Sequence, residues 1–208
     1  MIDSQLLNPD GRSLWDCYLA LAKRYRFSKS PQHLMDMNSS NALEFSAGTF
    51  AKSKKLDLRV GLSIYNNAVV ADTLSSTDDA ELFLQDVAQW AAKEYALSVD
   101  TAIVRKSYLN HMDVKFDYAV QIANPKLDFV VSRLNAQPRS IDGKIVPFGF
   151  GSLALWTQHI NTPQGQAFRL EHKHDTAFTD NTYFSIAPLQ TQEHTSLLED
   201  IEKALKPS

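Results

Sequence analysis

The sequence predicts an α+β fold, a mostly antiparallel sheet of hairpins and a meander with about four helices packed on it, and three observations carry that prediction. Leu56, Leu58, Val60, Leu62 and Ile64 alternate with Asp57, Arg59, Gly61, Ser63 and Tyr65, the period of a half-buried strand. Ser75, Ser76 and Thr77 then open a helix whose apolar residues recur at helical spacing. Strand patterns and helix patterns are mixed along the chain without strict β-α-β alternation, which disfavours a doubly wound parallel sheet.

Taken in order, Asn8-Pro9 is a helix start, and Leu14, Trp15, Tyr18, Ala22 and Tyr25 line one face of a first helix ending near Arg26. Residues 28–41, polar and turn-rich around Pro31, form a connection. Residues 41–50, with Leu43, Phe45 and Phe50, read as a strand. Asn66-Asn67 suit a tight turn, and Val69-Val70 restart the chain as a third strand. Gly61 on the outward face marks a bulge or a close approach of another backbone. In the next helix Asp79 follows Ser76 by three residues, as in a capping box, and Ala80, Phe83, Leu84, Val87, Ala91 and Tyr95 form the apolar stripe, with Trp90 at its edge. Asp78, Asp79 and Glu81 are explained by the helix dipole, so they are not read as a metal cluster.

Beyond residue 100, a strand region over 103–116 places Met112, Val114 and Phe116 on one face and His111, Asp113 and Lys115 on the other. Asn124-Pro125 starts a helix lined by Leu127, Val130, Val131 and Leu134. Strands follow at 145–150, 153–156, 167–172 and 183–186, and a closing helix carries Leu197, Leu198, Ile201 and Leu205. No internal repeat or linker is visible, so the expectation is a single α+β domain over 1–208, with the helix of residues 1–30 as an optional appendage.

Composition narrows the function classes. At 208 residues the chain is long enough to bury a core without staples, and its 44% hydrophobic and 22% charged content is that of an ordinary globular protein. A lone cysteine, Cys17, excludes an internal disulfide or cysteine zinc cluster and fits a reducing cytoplasm. The opening MIDSQLLNPD lacks the pattern of a secretory signal, and no window reaches the ~18 apolar residues of a membrane span. The expected location is therefore cytoplasmic, with no membrane partner. A net charge of −3 argues against a dedicated nucleic-acid binder. Only seven glycines are present and none falls in a phosphate-loop or dinucleotide pattern, so no cofactor is expected.

Three patterns remain as chemical candidates. Glu171-x-Lys173 has the acid-x-lysine form found on one strand of a large nuclease superfamily, where the acid holds a divalent metal and the lysine steadies the attacking water. Asp142 is the upstream acid that chemistry needs, and Asp113-x-Lys115 repeats the short pattern elsewhere, so the motif alone does not place the chain in that family. His172 and His174 would share a strand face as metal ligands, with His159, Asp175 or Asp180 as a third; two exposed histidines on an edge strand are the simpler reading. Lys23, Arg24, Arg26 and Lys29, interleaved with Tyr25 and Phe27, and a second group of Lys52, Lys54 and Lys55, could engage phosphates and bases, though helix-end and loop charges are the simpler reading. Cys17 sits between Trp15 and Tyr18 as a buried hydrophobe, and Phe148-Gly149-Phe150-Gly151-Ser152 only resembles a nucleophile elbow in composition. Among the aromatic residues Trp90, Trp156, Phe148, Phe150, Phe178, Tyr183 and Phe184, Phe178 and Tyr183 flank a turn where they could anchor a partner.

The expected function is that of a non-catalytic cytoplasmic subunit or adaptor working through protein–protein contact, with itself or another chain. The alternatives are a divalent-metal phosphodiester hydrolase using Glu171 and Lys173, and a nucleic-acid-binding module using the two basic clusters.

Overall fold

The computed structural model describes residues 13–33, 42–65, 68–97, 105–120, 128–136, 139–141, 144–146, 148–156 and 167–206. It has the α+β architecture: among the described residues, four α-helices and two main antiparallel sheets, one of three strands and one of four, plus a two-stranded hairpin. The chain divides into two compact units, Met1–Lys106 and Ser107–Ser208.

The first unit holds helix α1 (Leu14–Arg24), the meander β1 (Leu43–Ser53), β2 (Leu56–Ile64) and β3 (Val69–Thr73), and helix α2 (Thr77–Tyr95). Ser13 caps α1 by accepting the Asp16 N–H, later in sequence than the Asn8-Pro9 start, which lies outside the described residues. Strand alternation sends Leu58, Val60 and Leu62 inward, where they meet Leu43, Phe45, Leu21, Tyr25 and Phe83 in one core. The N-terminal helix is thus part of this core through Leu21 and Tyr25, with Tyr25 edge-on to Phe83 at 5.0 Å.

The irregularities of this sheet lie in β1, where the register slips between Phe45 and Gly48, with Ala47 at a φ of 54°, and again between Ala51 and Ser53. A Cβ on Gly48 would run into the Phe27 ring, so glycine lets that aromatic lie against the strand. Gly61, by contrast, sits in regular pairing with Asp72, and what crowds it is the Asp72 carboxylate rather than a backbone.

The second unit begins with β4 (Asn110–Lys115) and helix α3 (Asp128–Asn135). A hairpin of β5 (Arg139–Ile141) and β6 (Lys144–Val146) follows, then β7 (Ser152–Leu155), β8 (Phe168–His172), β9 (Thr182–Ala187) and helix α4 (Thr191–Leu205). The sheet order is β4-β9-β8-β7. Its inner face carries Leu170 and Tyr183 against Leu198 and Leu205 of α4, and the Tyr183 hydroxyl accepts the Val120 N–H at 3.1 Å. α3 departs from expectation, because none of its residues is buried and Val130 and Leu134 are exposed rather than core-facing.

Although no repeat is visible in the sequence, the units share a succession. Each runs an antiparallel meander into a helix, β1-β2-β3-α2 and β7-β8-β9-α4. Each helix buries a polar side chain in its first turn and an apolar one four residues on: Asp79 with Phe83, and His194 with Leu198. The matching residues differ chemically, so the correspondence escapes a sequence comparison.

Candidate functional site

The acid-x-lysine pattern falls at the end of β8. Arg169 and Glu171 share one face of the sheet, opposite the face that buries Leu170. Glu171 pairs in register with Phe184, which pairs with Asp113 on β4, so the backbones of the two acids stand two strand spacings, ~10 Å, apart. Each acid already has a cationic partner: Glu171 has Arg169 at 3.6 Å, and Asp113 has Lys173. The lysine is held by the far strand rather than beside Glu171. Asp142 lies outside the described residues. Among the described residues no three His, Cys, Asp or Glu side chains converge on a metal position.

His172 and His174 do not share a strand face, because β8 ends at His172. Thr176 N–H bonds the Lys173 carbonyl and Asp175 takes a φ of 64°, turning the chain before a second alternating position is reached. His172 stacks on Phe178 at 4.2 Å and 11°, with Nε2 3.2 Å from the Ala177 carbonyl oxygen. It is a packing residue. His174 and Asp175 are exposed in the turn and Asp180 lies in a short 3-10 turn, while His159 is outside the described residues.

The basic clusters are partly neutralised within the first unit. Arg24 makes two bonds to the Asp86 carboxylate, at 3.0 and 3.3 Å, and the Tyr25 hydroxyl donates to the same group at 2.5 Å. Burial and that bond to Asp86 push the Tyr25 hydroxyl pKa up. Arg26 lies 3.7 Å from Asp57, and Lys52 lies 2.5 Å from the buried Asp79. Lys23, Lys29, Lys54 and Lys55 are exposed without an ion pair to a described residue. Lys23 and Arg24 do border an open groove of about 500 Å³ with Trp90 and Tyr95, but Glu94 lines it too, and the Arg24 guanidinium packs 5.7 Å from the centre of the Trp90 ring. The groove therefore carries charges of both signs.

The constellation most like a catalytic one has no spacing that would reveal it in the sequence. His194 on α4 places Nε2 2.8 Å from Ser185 Oγ on β9 and Nδ1 2.7 Å from Asn110 Oδ1 on β4. Asn110 in turn donates to Thr191 Oγ1 at 2.9 Å. That order assigns the neutral tautomer: Nδ1–H donates to Asn110, leaving Nε2 as an acceptor facing the Ser185 hydroxyl, whose one proton is shared between Nε2 and the Arg169 carbonyl oxygen 3.2 Å away. This is a serine–histidine–amide chain, yet Ser185 and His194 are both 0% exposed. No substrate atom reaches the hydroxyl, so the chain pins α4 to β4 and β9. Burial, and then the neighbouring His111, hold the His194 pKa below its ordinary value, which keeps the ring neutral. The one sequence signal is His194 itself, standing in the stripe of Leu198, Ile201 and Leu205 where an apolar residue is expected.

What is open in the described structure is an edge. The outer side of β1 is bridged by Lys29 at Ser46, and the outer side of β9 is covered by β4. No described strand lies beyond β3, where Val69 and Val70 are half exposed and Leu74 is 88% exposed. No described helix is long and apolar enough to cross a membrane. Compared with protein-family models, with curated proteins and with solved structures, the chain matches none of them.

Proposed function

We propose that the chain is a non-catalytic subunit or adaptor that acts through protein–protein contact. One observation carries the reading: β3 is an apolar edge strand with no described neighbour on its outer side. An unpaired row of N–H and C=O groups flanked by valine and leucine is a surface that other chains bind, and soluble proteins otherwise guard it. The groups that could carry chemistry support the same reading, since Lys173, Glu171, Arg24 and Lys52 are occupied by ion pairs and Ser185 is sealed.

Size-exclusion chromatography with light scattering, on the chain purified from its native source, tests it. The expected species is heavier than the 23.4 kDa monomer and returns to monomer mass in the double variant Val70→Lys, Leu74→Lys. A strict monomer with nothing co-purifying overturns the reading.

A further inference from the structure

The two meanders differ at the outer edge of their third strand. On β9 that edge carries β4, antiparallel from Asn110 opposite Ala187 to Lys115 opposite Thr182. On β3 it carries no described strand. The pairing with β2 says which groups face outward. Tyr65 N–H bonds the Ala68 carbonyl at 2.8 Å, so along the register Ser63 with Val70 and Gly61 with Asp72 are the hydrogen-bonded pairs. The N–H and C=O of Val69, Ala71 and Thr73 therefore point away from the sheet.

The other edges have protection that β3 lacks. β4 exposes His111, Asp113 and Lys115, and β7 is only four residues long. β3 has no lysine, proline or bulge. Its one charge, Asp72, is folded back over Gly61, and a Cβ at 61 would collide with that carboxylate. Glycine there leaves room for the carboxylate to lie flat on the outer face, exposed and within reach of a long cationic side chain on a neighbouring strand.

We propose that the outer edge of β3 takes an extended segment of another protein as a fourth antiparallel strand, with apolar residues at alternate positions and a lysine or arginine facing Asp72. The proposal rests on the protein–protein reading above and names the partner's chemistry. β4 on β9 is the precedent within the chain, placing Met112 and Val114 inward and polar residues outward. Charge selects the basic partner, because Asp72 is the single charge of β3 and a residue directly opposite stands ~5 Å away. A second copy matches less well. Laid antiparallel about Ala71, two β3 strands bring both Asp72 carboxylates onto one face as diagonal neighbours, where like charges repel.

The test uses the full chain and a fluorescein-labelled peptide of sequence SVKVTVS, with SVEVTVS as its charge-reversed control, read by anisotropy. The lysine peptide is expected to bind about tenfold more tightly than the glutamate one, and Asp72→Lys to reverse that order. Ala71→Pro removes an outward N–H that β2 does not use, so it is expected to abolish binding while leaving the circular dichroism spectrum unchanged. Asp72→Lys, a surface change, keeps the test alive if the proline variant fails to fold. Absence of saturable binding, equal binding of the two peptides, or binding that survives Ala71→Pro overturns the proposal. Light scattering separates the two levels: an assembly that persists in Ala71→Pro defeats the edge while sparing the protein–protein reading, and a homodimer dissolved by that variant makes the occupant a second copy, overturning the partner named here.

Discussion

Replacing His194 by alanine removes the centre of the buried network in the second unit, and the structure sets the size of the effect. The imidazole is fully enclosed, so its loss leaves a cavity and strands Asn110 Oδ1, while Ser185 Oγ keeps its bond to the Arg169 carbonyl. The stranded acceptor costs about 1–3 kcal/mol, and with the cavity the total comes to about 3–5 kcal/mol, a large share of a domain's ~5–15 kcal/mol. The ring also imposes a pH dependence of known sign. Its folded pKa lies below 6.5, so between the folded and unfolded values the unfolded chain binds the extra proton. The stability it contributes is present above about pH 6.5 and is lost as pH falls through the folded pKa, at no more than about 1.4 kcal/mol per pH unit. Urea unfolding followed by circular dichroism at pH 7.5 and 5.5 reads both effects. Amide exchange of residues 183–187 and 191–205 at one pH assigns the loss to this unit. A His194→Ala protein within 1 kcal/mol of wild type, on the order of a single surface change, refutes the account of the network. So does a His194→Gln protein that keeps the full wild-type pH slope.

The remaining predictions follow the same contacts. Lys52 holds the Asp79 carboxyl below its ordinary range, so Asp79→Ala is expected to destabilise the first unit by about 1–3 kcal/mol in urea unfolding; the carboxylate's contribution is present above pH ~4 and lost as pH falls through its lowered folded value. Glu171→Ala and Lys173→Ala break only exposed ion pairs, so each is expected to shift stability by less than about 1 kcal/mol; a metal-dependent phosphodiesterase activity lost in both variants would contradict that assignment. Cys17 is buried, and burial raises its thiol pKa to about 11, so the native chain is expected to resist a thiol reagent at pH 8 and to react fully in urea.

Where local chemistry decides, the sequence was legible. The alternation from Leu56 to Ile64, the Ser76 cap and the apolar stripe through Phe83 all describe neighbours within a few residues, and the meander and α2 follow them closely. Strand ends were less visible, because a left-handed Asp175 stops β8 two residues before His174 and nothing in the alternation announces it. Partners remote in sequence were invisible. Arg24 with Asp86, Lys52 with Asp79 and Lys173 with Asp113 are set by tertiary placement, so grouping in sequence does not show that the structure pairs several of these cations. The same holds for Ser185, His194 and Asn110, which come together only when α4 lies on the sheet. That β3 is an edge among the described strands could not be read either, since edge or centre is a property of strand order.

The central claim is that the chain meets its partner along β3. Residue-resolved amide exchange of the full chain with and without the SVKVTVS peptide tests it most directly. The account predicts slowed exchange at Val69, Ala71 and Thr73, whose N–H groups face outward, with Val70 and Asp72, already bonded to β2, unchanged. Protection absent from β3, or spread equally over all five of its residues, would contradict it.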